Sequence, residues 1–223
     1  LGDVYKRQIE SSSTNCSVSL ALNGKLVCKR ENNSENFSHS TKLHHFIVEV
    51  LKKSNLSTEL LSAIAVSQGP GSYTGLRIGV SAAKGLCYAL DIPLISVSTL
   101  LTLAKKVKIK KGLIIPVIDA RRDEVYSAVF DASYKFIEDA KPQIITKNSF
   151  QELSKNNRLY FIGTGQEKCK RLIKKTSNLI FSPLNNLPSS SEMSQISFEK
   201  FSNSNFEDIA YFEPDYLKNF LSN

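Results

Sequence analysis

Cys16, Val18, Leu20 and Leu22 alternate with Ser17, Ser19 and Ala21, the period of two that gives a β-strand one buried face. Asn23-Gly24 follows, a pair that tolerates positive φ and predicts a hairpin, and residues 26–28 return as the next strand. Beyond the polar stretch 30–36, Leu43, Phe46, Ile47, Val50 and Leu51 recur at helical spacing and predict an amphipathic helix over about 40–53, with Ser38 or Ser40 as its cap. Residues 61–66 read as a buried strand. The glycine-rich segment 69–79 then runs into a second helix, from about 74 to 90, with Leu76, Val80, Ala83, Leu86, Cys87 and Leu90 inward. Asp91-Ile92-Pro93 stops it, because proline cannot continue a helix. Residues 94–97 form another short strand, Ser98 or Thr99 caps a brief helix, and the lysine-rich run 105–111 reads as a solvated boundary between two halves.

The second half repeats this plan. Residues 114–118 form an apolar strand ending at Asp119, as the first strand ends at Glu10, and each acid precedes a polar turn and an alternating strand. Val125, Ser127 and Val129 face one way, Tyr126, Ala128 and Phe130 the other. A strand over 159–162, the loop Gly163-Thr164-Gly165 and a helix through Cys169, Leu172 and Ile173 echo the strand, loop and helix around Gly69. The chain is therefore expected to be a duplicated α/β unit.

With 223 residues, 41% apolar and 22% charged, the chain has the composition of a globular protein of one large domain or two small ones. Its apolar runs, such as 113–117, fall far short of the about 20 residues that span a bilayer. Cys16, Cys28, Cys87 and Cys169 lack metal-ligand spacing and sit within apolar patterns, which fits small buried hydrophobes in a reducing cytoplasm. A net charge of +8 is compatible with an RNA-related partner and equally with a merely lysine-rich surface. Residues 1–8 show no strand alternation and no signal-peptide core, and read as a non-native leader replacing part of a first strand. The expected divisions are a leader over 1–8, a first half over 9–104 and a second over 105–223, with the segment from about 209 packing back on the first half.

The loop at Gly69 holds the most unusual chemistry. Gly69, Gly71, Gly75 and Gly79 permit positive φ and close backbone approach, so with Ser72, Thr74 and Arg77 the segment could cradle an anion. It matches neither the GxxxxGK[ST] nor the GxGxxG spacing, where Thr74 replaces the last glycine. A tight turn feeding a helix that carries the small residues Gly79, Ala82, Ala83 and Gly85 fits equally, as an interface for another helix. Glu10 and Asp119 stand at strand ends, where carboxylates hold magnesium through water or simply form turns. Asp119, Arg121, Arg122, Asp123 and Glu124 can also satisfy one another as a salt-bridge cluster. His39, His44 and His45 lack the HxxxH or HxxH spacing of a metal pair, and no GxSxG elbow or serine–histidine pairing supports nucleophilic catalysis.

The string Gly69-Pro70-Gly71-Ser72-Tyr73-Thr74-Gly75-Leu76-Arg77-Ile78-Gly79 resembles the signature of the TsaB family, also called YeaZ. Residues 9–18, the helix start His39-Ser40-Thr41-Lys42-Leu43, the hairpin 118–126 and Pro214-Asp215-Tyr216-Leu217 resemble family segments in the same order. The resemblance implies the duplicated actin-like fold shared with sugar kinases and the Hsp70 ATPase, mixed sheets flanked by helices. It implies a non-catalytic cytoplasmic subunit that pairs with TsaD and, with the ATPase TsaE, supports threonylcarbamoyl transfer to the adenosine beside the anticodon of tRNAs reading A-starting codons. Family members lack TsaD's metal-binding histidine pair, and the histidine spacing here agrees. No tightly bound cofactor is implied on this subunit, with ATP and metal on its partners and tRNA met through the complex. The contact would come from the first two helices, here Leu43, Ile47, Val50, Gly79, Ala82, Ala83 and Leu86, and could also form a homodimer. Glu10, Ser11, Asp119, Arg121 and Glu124 would lie on the nucleotide side. The competing reading is a metal- or nucleotide-dependent enzyme of the same fold, peptidase-like or carbamoyl-transferring.

Overall fold

The computed structural model describes residues 3–34, 39–184 and 186–217, and divides them into two compact units. Of the described residues, the first holds those up to Thr102 together with Pro188–Asp215, and the second those of Leu103–Leu187 with Tyr216 and Leu217. The helix cap expected at Ser38 lies outside the described residues. Ser40 lies inside the helix that begins at His39.

The first unit is built on β1 (Tyr5–Glu10), β2 (Asn15–Leu22), β3 (Lys25–Asn33), β4 (Leu61–Gly69) and β5 (Leu94–Ser98), ordered β3-β2-β1-β4-β5. β1 pairs antiparallel with β2 and parallel with β4. β3 runs through the polar stretch that sequence alone leaves as a loop, because it pairs with β2 along its whole length at the sheet edge, where exposed polar side chains cost nothing. α1 (His39–Ser54) and α2 (Tyr73–Leu90) cover one face, and their inward residues Leu43, Val50, Val80, Ala83 and Cys87 join Ile9, Val18, Ile64 and Leu94 in a single core. Each fully buried leucine there contributes roughly 1.5–3 kcal/mol over exposure. α6 (Met193–Ser202) covers the other face, with Met193 and Ile196 against Ala63, Ala65, Ile95 and Val97.

The second unit repeats the plan with β6 (Leu113–Asp119), β7 (Glu124–Phe130), β8 (Phe136–Ile144), β9 (Leu159–Ile162) and β10 (Leu179–Phe181), ordered β10-β9-β6-β7-β8. β6 is antiparallel to β7 and parallel to β9, so it corresponds to β1. α4 (Gln151–Asn156) and α5 (Gln166–Leu172) correspond to α1 and α2, and Cys169 with the partly buried Phe150 and Leu153 packs on Val117, Val125 and Phe161. α3 (Thr99–Ala104), with Ser98 Oγ accepting the Leu101 amide, crosses from the first unit into the second.

The boundary of the return segment differs from expectation. The return to the first unit begins at Pro188, well before 209, because α6 fills the second face of that sheet. Tyr5 to Gln8 occupy the central strand, and Lys6 and Arg7 are fully buried there without a hydrogen-bond partner for their side-chain nitrogens.

Candidate functional site

The glycine segment packs against the turn that leaves β1. Ser12 O accepts the Ser72 amide at 2.6 Å, and a Cβ on Gly71 would meet that same carbonyl. A Cβ on Gly75 would meet Ser11 O, and one on Gly79 would meet Ser11 Oγ. Gly69, at φ +117, faces Asp215 O, 2.7 Å from where its Cβ would sit, while the Asp215 amide donates to Gln68 O at 2.7 Å. Gly69, Gly71 and Gly75 are thus needed by backbone passing within contact distance, and Gly79 by the Ser11 hydroxyl.

Three amides of this segment, those of Ser72, Gly75 and Leu76, are engaged within the chain. Ser72 caps α2, its Oγ accepting from Gly75 N at 3.2 Å and its carbonyl from Leu76 N at 2.8 Å. Thr74 and Arg77 face solvent, with the Arg77 guanidinium 4.0 Å above the Tyr73 ring. The arrangement is a packing joint that orients α2.

Glu10 ends β1 beneath this joint, fully buried. Its Oε1 accepts from Ser12 N at 2.7 Å and Ser12 Oγ at 2.6 Å, while Oε2 and the neighbouring Ser11 Oγ have no hydrogen-bond partner. Burial pushes the carboxyl above its ordinary value, against the Ser12 hydrogen bonds that lower it, and the Glu192 charge adds to the rise. The folded protein therefore holds this proton more tightly than the unfolded chain. Its stabilising contribution is complete below the ordinary value of 4.5 and is lost as pH climbs through the raised one. Glu10→Gln is expected to gain stability relative to the parent between pH 5 and pH 8, read by urea unfolding at the two pH values. An equal difference at both would show that Glu10 does not titrate in this way.

The rest of that sheet face is closed by the chain itself. Ser17 Oγ and Ser190 Oγ lie 2.7 Å apart, Ser19 Oγ donates to Gln8 Oε1 at 2.8 Å, and Ser189 Oγ donates to Glu31 Oε2 at 2.7 Å. The serine run 189–191, unread in the sequence, ties the return segment to β2 and β3. Only the periodic serines of β2, facing inward opposite Val18 and Leu20, hinted at a polar partner.

In the second unit Asp119 carries an exposed carboxylate at the end of β6, already paired with Lys168 Nζ at 3.1 Å and accepting from Arg121 N at 2.8 Å. Lys168, which sequence reasoning missed, also donates to Glu124 O at 2.7 Å. Arg121 and Arg122 take left-handed backbone in this turn. Asp123 pairs with Arg171 of α5 at 3.5 Å and Asp119 with Lys168, rather than with Arg121 and Arg122 as expected, the turn taking left-handed backbone at both arginines. Gly163, at φ +116, lies against Val117 O, so the second glycine loop is also a packing joint.

The expected interface positions are mostly interior. Leu43, Val50 and Ala83 are fully buried, Ile47 nearly so, and Gly79 faces Ser11 and Ile9, so none offers surface to another helix. Ala82 and Leu86 are half-buried. The solvent face of α2 is Thr74, Arg77, Ser81, Gly85 and Tyr88, with Tyr88 84% exposed and no atom within 4 Å of a Cβ on Gly85. Sequence periodicity held this answer, since the outward stripe is the complement of the inward one.

Burial raises the thiols of Cys16 to about 11, and of Cys87 and Cys169 to about 12, which leaves them poor nucleophiles at neutral pH. His39 Nε2 lies 2.7 Å from Ser13 O, and His45 Nε2 lies 3.0 Å from Glu49. Among the described residues no three histidine, cysteine or acidic side chains come together as metal ligands.

The family model for TsaD, tRNA N6-adenosine threonylcarbamoyltransferase, matches residues 34–219. The chain is 33% identical to the tRNA threonylcarbamoyladenosine biosynthesis protein TsaB of Bacillus subtilis over 81% of this chain and 80% of that protein. Against TsaB of Escherichia coli it is 30% identical over 95% and 93%. A crystal structure from Pseudomonas aeruginosa, described as similar to the peptidase YeaZ, superposes with a TM-score of 0.85 at 21% identity, covering 96% of this chain and 100% of that one. That likeness shows the fold, the duplicated actin-like architecture of two mixed sheets flanked by helices. The TsaD model spans most of the chain and these relatives, matched over most of their own length, are TsaB proteins, so the chain belongs to the TsaB (YeaZ) branch of this family.

Proposed function

We propose that this chain serves tRNA threonylcarbamoyladenosine biosynthesis as a non-catalytic subunit that docks onto a TsaD-like protein, with a TsaE-like ATPase completing the assembly in the cytoplasm. The observation that carries this reading is the contrast between an engaged interior and an open helix face. Glu10 stands among hydroxyls, with no cation or base against it among the described residues, the thiols are held protonated, and Asp119 is neutralised by Lys168. No observation favours the peptidase-like or carbamoyl-transferring alternative. ATP and metal belong, on this reading, to the partner subunits, and tRNA is modified by the complex.

The docking face is the outer stripe of α2, Thr74, Ser81, Gly85 and Tyr88, together with the outward positions of α1 such as His44 and Val48. A large exposed tyrosine beside a glycine gives an aromatic anchor and room for close approach, features typical of interface centres. The same face would serve a homodimer when the partner is absent. Gly85→Arg with Tyr88→Glu is expected to weaken binding to the cognate TsaD-like protein at least a hundredfold, measured by calorimetry, while the thermal midpoint of the isolated chain stays within a few degrees. Undiminished binding by a folded double variant would refute this surface.

A further inference from the structure

The lysine run after α3 is not a featureless solvated linker. With residues 155–160 and Asn178 it lines an open cavity of about 760 Å³ in the second unit. Lys108, Lys110, Lys111, Lys155 and Arg158 all line it, and no acidic side chain does. Lys155 is paired with Glu152 at 2.7 Å, whereas the other four make no ion pair among the described residues. Like charges gathered round a concavity repel one another and focus a positive potential, which a polyanion relieves.

The geometry holding them together is specific. Gly112 takes φ +113, and a Cβ there would meet Arg158 O at 2.7 Å and the Tyr160 ring at 2.9 Å, so the lysine loop is drawn against the start of β9. Leu113 N donates to Arg158 O at 2.9 Å, closing the floor. The cavity lies at the amino-terminal ends of the parallel strands β6, β9 and β10, whereas Asp119 and Gly163 stand at the carboxyl ends of β6 and β9. It is thus a second site within this unit, remote from the strand ends where nucleotides bind in such sheets.

The geometry points to this cavity as a binding site for the phosphodiester backbone of RNA, contacted directly by this subunit. Several cations without a carboxylate fit a ligand bearing several phosphates, and the half-buried Tyr160 ring offers a stacking surface for an unpaired base. The scaffold reading enters only in choosing tRNA as the RNA, and the test uses the full chain without partners, so the two stand or fall separately. Fluorescence anisotropy with an unmodified tRNA transcript is measured across a salt series. The triple variant Lys108→Ala/Lys110→Ala/Lys111→Ala is expected to bind at least tenfold more weakly at 0.1 M salt, with the log–log salt slope reduced by about two to three. Arg158→Gln, which leaves the loop intact, is expected to lose severalfold. A control of equal charge loss at exposed sites elsewhere, Lys25→Ala/Lys141→Ala/Lys147→Ala, is expected to change affinity less than twofold. No tRNA binding by the parent at 0.1 M salt, or equal losses in the two triple variants, would overturn the assignment, as would a cavity that instead answers only to an acidic protein.

Discussion

Arg7→Met is expected to stabilise the protein by about 3–5 kcal/mol, the scale of an uncompensated buried charge. Arg7 lies in the middle of β1, opposite Leu20 on one side and Ile64 on the other. Strand alternation places it on the same face as Ile9, toward the apolar core under α1 and α2. Its three guanidinium nitrogens have no hydrogen-bond partner, and burial lowers its pKa to about 10. Methionine keeps the unbranched length and removes the charge. Lys6, on the opposite face, is partly compensated by the rings of Phe198 at 4.5 Å and Phe201 at 5.1 Å, so Lys6→Met gains less. Burial lowers the Lys6 pKa to about 8, below the ordinary 10.5. The folded state therefore binds this proton less tightly, and stability from this group is present above the ordinary value and lost as pH falls through about 8. Urea unfolding of the parent and both variants at pH 7 reads the effects. An Arg7→Met protein less stable than the parent would mean that the guanidinium has found partners or water.

The same substitution on one helix is expected to act with opposite signs at two positions. Gly75→Ala sets a methyl group into Ser11 O, a backbone atom on a turn held by Glu10 and Ser72, and is expected to cost about 3 kcal/mol. Gly85→Ala meets nothing and gains the usual helix-interior preference of alanine, about 1 kcal/mol. Thermal or urea midpoints of the two variants separate the packing account of the glycine segment from an anion-cradle account. Under the latter, Gly75→Ala would spare stability and impair only ligand binding.

Much of the fold was legible because its signals are periodic. Strand alternation in β2 and the 3.6-residue stripes of α1 and α2 located elements to within a residue or two, and the order of elements disclosed the duplication that the two sheets repeat strand for strand. The elements missed, β8, α4, β10 and α6, are short, polar on their outer sides, or defined by what they pack against. α6 reads as an ordinary Ser-rich stretch until Met193 and Ile196 meet Ala63, Ala65, Ile95 and Val97 of a sheet formed far earlier in the chain. The glycine string disclosed the family but not its own purpose. Whether a glycine faces a ligand, a partner or its own chain depends on what passes in front of it, and here that is the Ser11-Ser12 backbone. Ala83 and Gly79 were misplaced for a related reason, since small residues suit close approach whether the neighbour is a partner helix or the chain's own first strand. The lysine run was visible as charge, and its concave arrangement was not, because that requires Gly112 to fold it against Arg158.

The most direct test of the scaffold reading is reconstitution. The purified chain is combined with the cognate TsaD-like and TsaE-like proteins, ATP, threonylcarbamoyl donor and unmodified tRNA, and threonylcarbamoyladenosine is quantified by mass spectrometry with each component omitted in turn. The account predicts that product formation collapses when this chain is left out, that the chain alone produces none, and that Glu10→Gln supports activity at the parent level. Full activity in the absence of the chain, or product from the chain without its TsaD-like partner, would contradict it.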